Sequence, residues 1–440
     1  MKRIFLFFPL VWVGLLMSCS PSDYQNAIPR KCPAVMSVDV ARAGGVGSKA
    51  LVQAMLHVQR IDNMGIDLAR KIFFFESPKG QYGLCAAVDD ASVLAERLAA
   101  AGDGLTTYKD YQFARLGDAW VAGFSDDALL VMGPVTVEGQ PELMRDMAKW
   151  LGQDEEKGIK ASRLYQRLDS LQAPVALVAC LQSLPEKLAA PLSIGAPKGA
   201  ELSQLYLAAT METRDACMRI EGQTFSFQQE IDHRWQERKR ALRPIGITYL
   251  NTLSTGNVAS LFVNVDGEQF LPLLRTNVGI QSMLAGANAA IDMDNILKSV
   301  DGDMAILFPD YTGEQTALSI LAKLRHSRWT DDIGYWKRSV PQGGSLVDDG
   351  DKAWMYRGRR LSFFFGVTKD SQLYSGKDRQ QAEAQLHAAP YAALGSLGVE
   401  GARLAMVINL ATMEGSSTDA IGNVLRPVLG TIKTIVYSMR

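Results

Sequence analysis

Histidine is scarce. The 440 residues hold four, His57, His233, His326 and His387. No two stand at the spacing that places two imidazoles on one helix face, and there is no H-E-x-x-H run. No G-x-S-x-G run marks a nucleophile elbow. No C-x-x-C pair marks a zinc knuckle or a thioredoxin-like centre. Charge of either sign is not in excess: 46 basic side chains face 47 acidic ones, which argues against nucleic acid as a partner. Beyond the N-terminus no apolar run reaches the roughly 18 residues that a membrane-spanning helix requires. The turn "AGGVGSK" lacks the spacing of the phosphate loop G-x-x-x-x-G-K-[ST]. It is expected to open a helix with Leu51, Met55 and Val58 on one face. No cofactor and no metal site are expected.

Five cysteines are present. Cys85 and Cys180 lie within the apolar runs "YGLCAAV" and "VALVACL", and read as small buried hydrophobes. An oxidising compartment would still permit disulfides among Cys32, Cys85, Cys180 and Cys217.

The N-terminus is informative. Lys2 and Arg3 precede an apolar stretch from Ile4 to Leu16. As a helix it would rise about 20 Å, short of the roughly 30 Å of a hydrocarbon core. That combination reads as a secretory signal peptide, residues 1–18. It ends in Leu16-Met17-Ser18-Cys19, which resembles the lipobox of bacterial lipoproteins. The resemblance implies that Cys19 carries a thioether-linked diacylglycerol and an amide-linked acyl chain. Each buried CH₂ contributes about 0.8 kcal/mol, so two or three chains anchor stably where one does not. Ser20, rather than an aspartate, follows the cysteine. By analogy this favours the outer membrane, on its periplasmic or its surface face.

Residues 19–32 are polar and expected to be a tether. The remainder reads as alternating hairpins and helices without sustained βαβ order, hence α+β layers with a mainly antiparallel sheet. "AVMSVDV" (34–40), "YGLCAAV" (82–88) and "APVALVACL" (173–181) read as strands. "DDASVLAERLAAAG" reads as a capped helix. "RWQERKRALR" (234–243) reads as a solvated helix or connector.

The second half repeats this plan. "ASLFVNV" (259–265) is similar to "AVMSVDV", and "ARLAMVINL" (402–410) to "APVALVACL". Placing Val38 on Val263 is a shift of 225 residues, and Val178 on Val407 a shift of 229. Such near-equal displacements point to internal duplication into units 33–243 and 244–440. Placing Gly133 on Gly376 is a shift of 243, so insertions intervene.

"AIPRKCPAVMSVDV", "GIDLARKIFFFES" with "YGLCAAVDDASVLAERL", and "NILKSVDGDMAILF" resemble segments of a family of uncharacterised lipoproteins of Bacteroides-type bacteria, a domain of unknown function. The resemblance implies a lipoprotein. It brings no activity, cofactor or site residue.

Two sets of residues invite a chemical reading. The first is the aspartate pairs Asp89-Asp90, Asp126-Asp127, Asp331-Asp332 and Asp348-Asp349. Paired carboxylates can cleave a glycosidic bond when about 5 to 9.5 Å apart. Yet these sit where caps and turns are expected, and aspartate serves there by accepting backbone N–H bonds. "DMDNILKSVDGDM" fails the calcium-loop pattern, and its "VDGDM" reads as a turn into the strand "AILF". The second set is aromatic and basic: Trp329, Tyr335 and Trp336 in "RWTDDIGYWKR", and Trp354, Tyr356, Arg357, Arg359 and Arg360 in "AWMYRGRR". These residue types anchor interfaces. In loop-like sequence they are expected to form a binding surface for a protein or glycan. The expected function is a lipid-anchored envelope binding or scaffold protein without catalysis. The alternatives are an aspartate-dependent glycan hydrolase and an accessory lipoprotein of an outer-membrane transporter.

Overall fold

A computed structural model describes residues 23–43, 61–185, 192–276, 291–309, 318–359, 361–391, 397–413 and 432–440, with Gln53, Ala189, Gln281, Leu284, Ala285 and Asn288. The lipobox with Cys19, the helix expected around His57, and Arg360 lie outside the described residues.

The first half holds strands β1 (Ala34–Val38), β2 (Ile72–Glu76), β3 (Tyr82–Ala87), β4 (Leu105–Tyr108), β5 (Tyr111–Leu116), β6 (Trp120–Phe124), β7 (Ala128–Gly133), β8 (Val175–Cys180), β9 (Tyr206–Arg214) and β10 (Cys217–Phe225). Its helices are α1 (Ala91–Ala101), α2 (Gln140–Leu151), α3 (Arg163–Asp169) and α4 (Gln229–Lys239). After β11 (Leu242–Arg243) come β12 (Ala259–Asp266), β13 (Val300–Phe308), β14 (Ser319–Leu324), β15 (Ser345–Asp348), β16 (Ala353–Arg357), β17 (Ser362–Val367), β18 (Gln372–Gly376), β19 (Leu404–Asn409) and β20 (Thr434–Met439). Helices α5 (Gly267–Leu274), α6 (Met293–Lys298), α7 (Ile333–Ser339) and α8 (Arg379–Leu386) lie between them.

All these strands belong to one mostly antiparallel sheet. In the first half the pairing order is β4-β5-β6-β7-β3-β2-β1-β8-β9. In the second it is β15-β16-β17-β18-β14-β13-β12-β19-β20. Position by position, the order is the same. The register agrees as well. Ala34 faces Ala179 and Val38 faces Val175; Ala259 faces Ile408 and Val263 faces Leu404. Advancing β1 by 225 residues and β8 by 229 turns one set of partners into the other. The halves meet on β10, which runs antiparallel to β9 and parallel to β20. Strands β9 and β20 therefore run in opposite directions, as a half-turn about the sheet normal requires.

Both faces of the sheet are covered, which explains the continuous apolar runs. In the first half, Leu84, Ala86, Leu129 and Val131 pack with Leu94 and Leu98 of α1 on one face. Cys85, Leu130 and Met132 pack with α2 and α3 on the other. In the second half, α5, α6 and α7 cover one face and α8 the other. The first of these cores continues across the junction through Leu205, Leu207 and Trp235.

Three expectations need correction. Residues 23–32 do not form a tether: Tyr24, Ala27, Ile28 and Cys32 are buried in the core that α2 and α3 cover, and the Tyr24 hydroxyl donates to the Lys71 carbonyl at 2.5 Å. The apolar residues among the polar ones carry that segment inward. "VDGDM" is no turn but the start of β13, with a register shift between Val300 and Met304. Gly302, at φ +142°, absorbs it. The change from one half to the other is no free connector either. β11 pairs with β12, and Asp303 accepts from the Gly246 N–H and the Asn264 side chain, both at 2.9 Å.

Candidate functional site

The aromatic segment is core. β16 sends Trp354 and Tyr356 to the same face of the sheet, two residues apart. On α7, Ile333 and Trp336 share the inward face at i, i+3 spacing. Trp329 is 1% exposed, Trp336 5%, Trp354 7% and Tyr356 7%. The Trp329 and Trp336 rings stack at 6.0 Å and 11°. Trp354 meets Trp329 edge-on at 6.2 Å, and Tyr356 lies 5.4 Å from Phe363. This corrects the expectation of an exposed aromatic surface: the short elements that looked loop-like cover a sheet face, and these rings fill the space between. Of the set, Tyr335 is 64% exposed, and Arg357 and Arg359 are exposed. Lys337 ties α7 to β15 through both oxygens of Asp348, each at 2.6 Å. That bond holds the Asp348 carboxyl below its usual range.

Most of the other aspartates named above hold local structure. Asp90 caps α1, accepting from the Ser92 and Val93 N–H groups at 2.9 and 3.0 Å. Asp126 and Asp127 form the β6–β7 turn, and Asp348-Asp349 leads from β15 toward β16. Asp332 precedes α7 without a side-chain capping bond. Asp292 caps α6. Asp294 pairs with Arg275. Asp301 lies 2.9 Å from Arg243 and 3.3 Å from Arg325. Hydrogen bonding from Arg243 lowers its pKa first, despite some burial.

His233 pairs with Glu237 at 3.7 Å, His387 follows α8 as its C-cap, and His326 is half-buried. Among the described residues no three histidine, cysteine or acidic side chains converge as metal ligands. Cys32, Cys85 and Cys180 are buried free thiols, and Cys217 is a half-buried one. Burial pushes the thiol pKa of Cys32 and of Cys85 strongly up.

A different site appears at the junction. Gln223 of β10, Gln236 and Lys239 of α4, Arg240, Arg403, and Met439 and Arg440 at the end of β20 line one cleft of about 140 Å³. The run "RWQERKRALR" does belong to a helix, but not to a fully solvated one. Trp235 is 0% and Lys239 8% exposed. The Lys239 ammonium donates to the Thr224 carbonyl and lies 4.7 Å from the Trp235 ring centre. Burial without a carboxylate bond pulls its pKa down to about 8. A smaller pocket shares Met439 with the cleft and is lined in part by Tyr437, whose buried hydroxyl has no partner among the described residues. Sequence reading passed over this cleft. The one local signal was Trp235 and Lys239 at i, i+4 spacing inside a charged run.

No curated protein matches the chain. A solved structure described as "Structure of crystal form I of TP0453" aligns over 81% of this chain and 93% of its own, at 8% identity and a TM-score of 0.22. The model of a family described as a domain of unknown function, DUF4836, matches residues 58–387, taking in most of both halves of the sheet; the chain belongs to that family.

Proposed function

We propose that this chain is a lipid-anchored binding or scaffold protein of the bacterial cell envelope, held by acylated Cys19 at the outer membrane and built from two duplicated units, 33–243 and 244–440. The lipobox-like ending Leu16-Met17-Ser18-Cys19 supports the anchor. The recurring strand order and the β1–β8 and β12–β19 registers support the duplication. The observation that carries the non-catalytic reading is the employment of the carboxylates. Asp90, Asp292, Asp301, Asp303 and Asp348 each accept bonds that hold a helix end, a strand or the junction. A scaffold whose acids are committed in this way suits recognition of a protein or glycan partner better than hydrolysis.

Feeding cells a labelled fatty acid tests the anchor. The wild type is expected to take up label and to fractionate with outer membranes, and Cys19→Ser to do neither. Equal labelling of the two would remove the anchor from the reading. If Asp126→Asn with Asp127→Asn abolished turnover of an envelope glycan that the wild type degrades, the non-catalytic part would be wrong.

A further inference from the structure

The cleft at the junction concentrates more positive charge than its surroundings use. Lys239, Arg240, Arg403 and Arg440 come from the end of α4, from the approach to β19 and from the end of β20, yet they line one space. Among the described residues, Asp232 and Glu221 act on these cations. Asp232 raises the Lys239 pKa through space, but its Oδ1 already accepts from the Ser226 N–H at 3.0 Å and the Gln236 side chain at 3.3 Å. Glu221 lies 3.6 Å from Arg440. Of these two carboxylates, Asp232 is already committed, which leaves Glu221 against Arg440.

The cations also keep donors in reserve. Arg403 gives Nη1 to the Leu242 carbonyl at 2.7 Å, which leaves most of a guanidinium's five N–H donors. The Arg240 side chain is exposed and makes no bond among the described residues. Lys239 is the costly member. A buried ammonium held only by a carbonyl and a ring face is poorly compensated, and an anion in the cleft would supply the missing partner.

We propose that this cleft binds a phosphate dianion, either inorganic phosphate or the phosphomonoester headgroup of an envelope lipid, with Lys239, Arg240, Arg403 and Arg440 as its donors. A tetrahedral dianion offers acceptors in several directions, and guanidinium forks match phosphate oxygens in pairs. The cleft is roughly ten times the 10–15 Å³ that one water needs, enough for the oxyanion and the start of an ester. The proposal does not depend on acylation of Cys19.

The test is calorimetric titration of the full chain in neutral detergent with inorganic phosphate, dihexanoyl phosphatidic acid and dihexanoyl phosphatidylcholine. The expected result is saturable binding of inorganic phosphate or phosphatidic acid, weakened about tenfold by Arg240→Gln or Arg403→Gln through loss of one charge-assisted hydrogen bond. Both arginines are exposed, so both variants should fold. Tighter binding of phosphatidic acid than of inorganic phosphate identifies a lipid source, and equal binding a free one. Phosphatidylcholine binding as well as phosphatidic acid would overturn the proposal, as would phosphate binding that neither arginine variant weakens, or none at millimolar concentration. A second measurement does not need Lys239 replaced. After reductive ¹³C-methylation, the Lys239 resonance should titrate at higher pH with phosphate than without it. An unmoved midpoint would equally overturn the proposal.

Discussion

Helices α1 and α7 occupy the same place in the two halves. Each follows the central strand of its half, β3 or β14, and leads to the edge strand, β4 or β15. They fill that place differently. α1 has eleven residues, is capped by Asp90, and buries Leu94 and Leu98. α7 has seven residues, lacks a side-chain cap, and buries Ile333 and Trp336. At 1.5 Å per residue the first spans about 16 Å and the second about 10 Å. The shorter helix covers less sheet, so larger side chains close the gap, and Trp329 from the preceding turn helps to close it. Aromatic enrichment here marks a shortage of backbone cover, not a face offered to a partner.

Core truncation should show the contrast most strongly. Trp329→Ala is expected to cost about 3–5 kcal/mol, read by urea unfolding. Leu94→Ala, which removes a smaller side chain beneath a longer helix, should cost less, within the range of about 2–5 kcal/mol. A larger loss at Leu94 would break the comparison.

Buried titratable groups separate the first half from the junction. Burial raises the pKa of Tyr24, Cys32 and Cys85, so each loses stability as rising pH ionises the unfolded chain. Lys239 goes the other way, from an ordinary 10.5 down to about 8. Between those values the unfolded chain holds a proton that the folded chain has released, so this contribution to stability rises with pH across that window. It amounts to about 3 kcal/mol. Unfolding curves for wild type and Lys239→Met at about pH 7.5 and about pH 10, the first below that window and the second within it, should converge or cross toward high pH. Parallel curves would show that Lys239 is not held as described.

Helix caps give a smaller effect. Asp90→Ala should destabilise by about 1 kcal/mol, and Asp332→Ala should fall within about ±0.5 kcal/mol of wild type. Equal losses would mean that α7 is capped after all. The smallest effect is expected at Tyr335, 64% exposed on α7. Its change to Ala should leave the unfolding midpoint in place, and any fall in partner capture would then report a surface contact.

Legibility followed the range of the interactions. "YGLCAAV" and "ARLAMVINL" could be read as strands because both sheet faces are covered and nearly every side chain must be apolar. The shifts of 225 and 229 residues could be read because the β1–β8 and β12–β19 registers tie those positions together. Asp90 was readable as a cap from its neighbours alone. The aromatic segment was misread because β15 and β16 are too short to show a period, and only α7 lying over them tells inside from outside. The cleft was unreadable because Lys239 and Arg403 are far apart in the chain and meet only through long-range contacts, the pairing of β10 with β20 and the bond from Arg403 to the Leu242 carbonyl.

By itself, the sequence determined the local choices: where strands and helices form and which residues cap them. These depend on side-chain periodicity and on hydrogen bonds within a few residues. Only the tertiary structure decided that the two halves join in one sheet through a parallel pair, that four tryptophan and tyrosine rings between Trp329 and Tyr356 lie inside, and that a buried lysine and three arginines share one cleft. Those outcomes depend on which surfaces meet across long sequence separations. Burial, the cost of an unpaired charge and the filling of space are set at that meeting, and no local pattern records them.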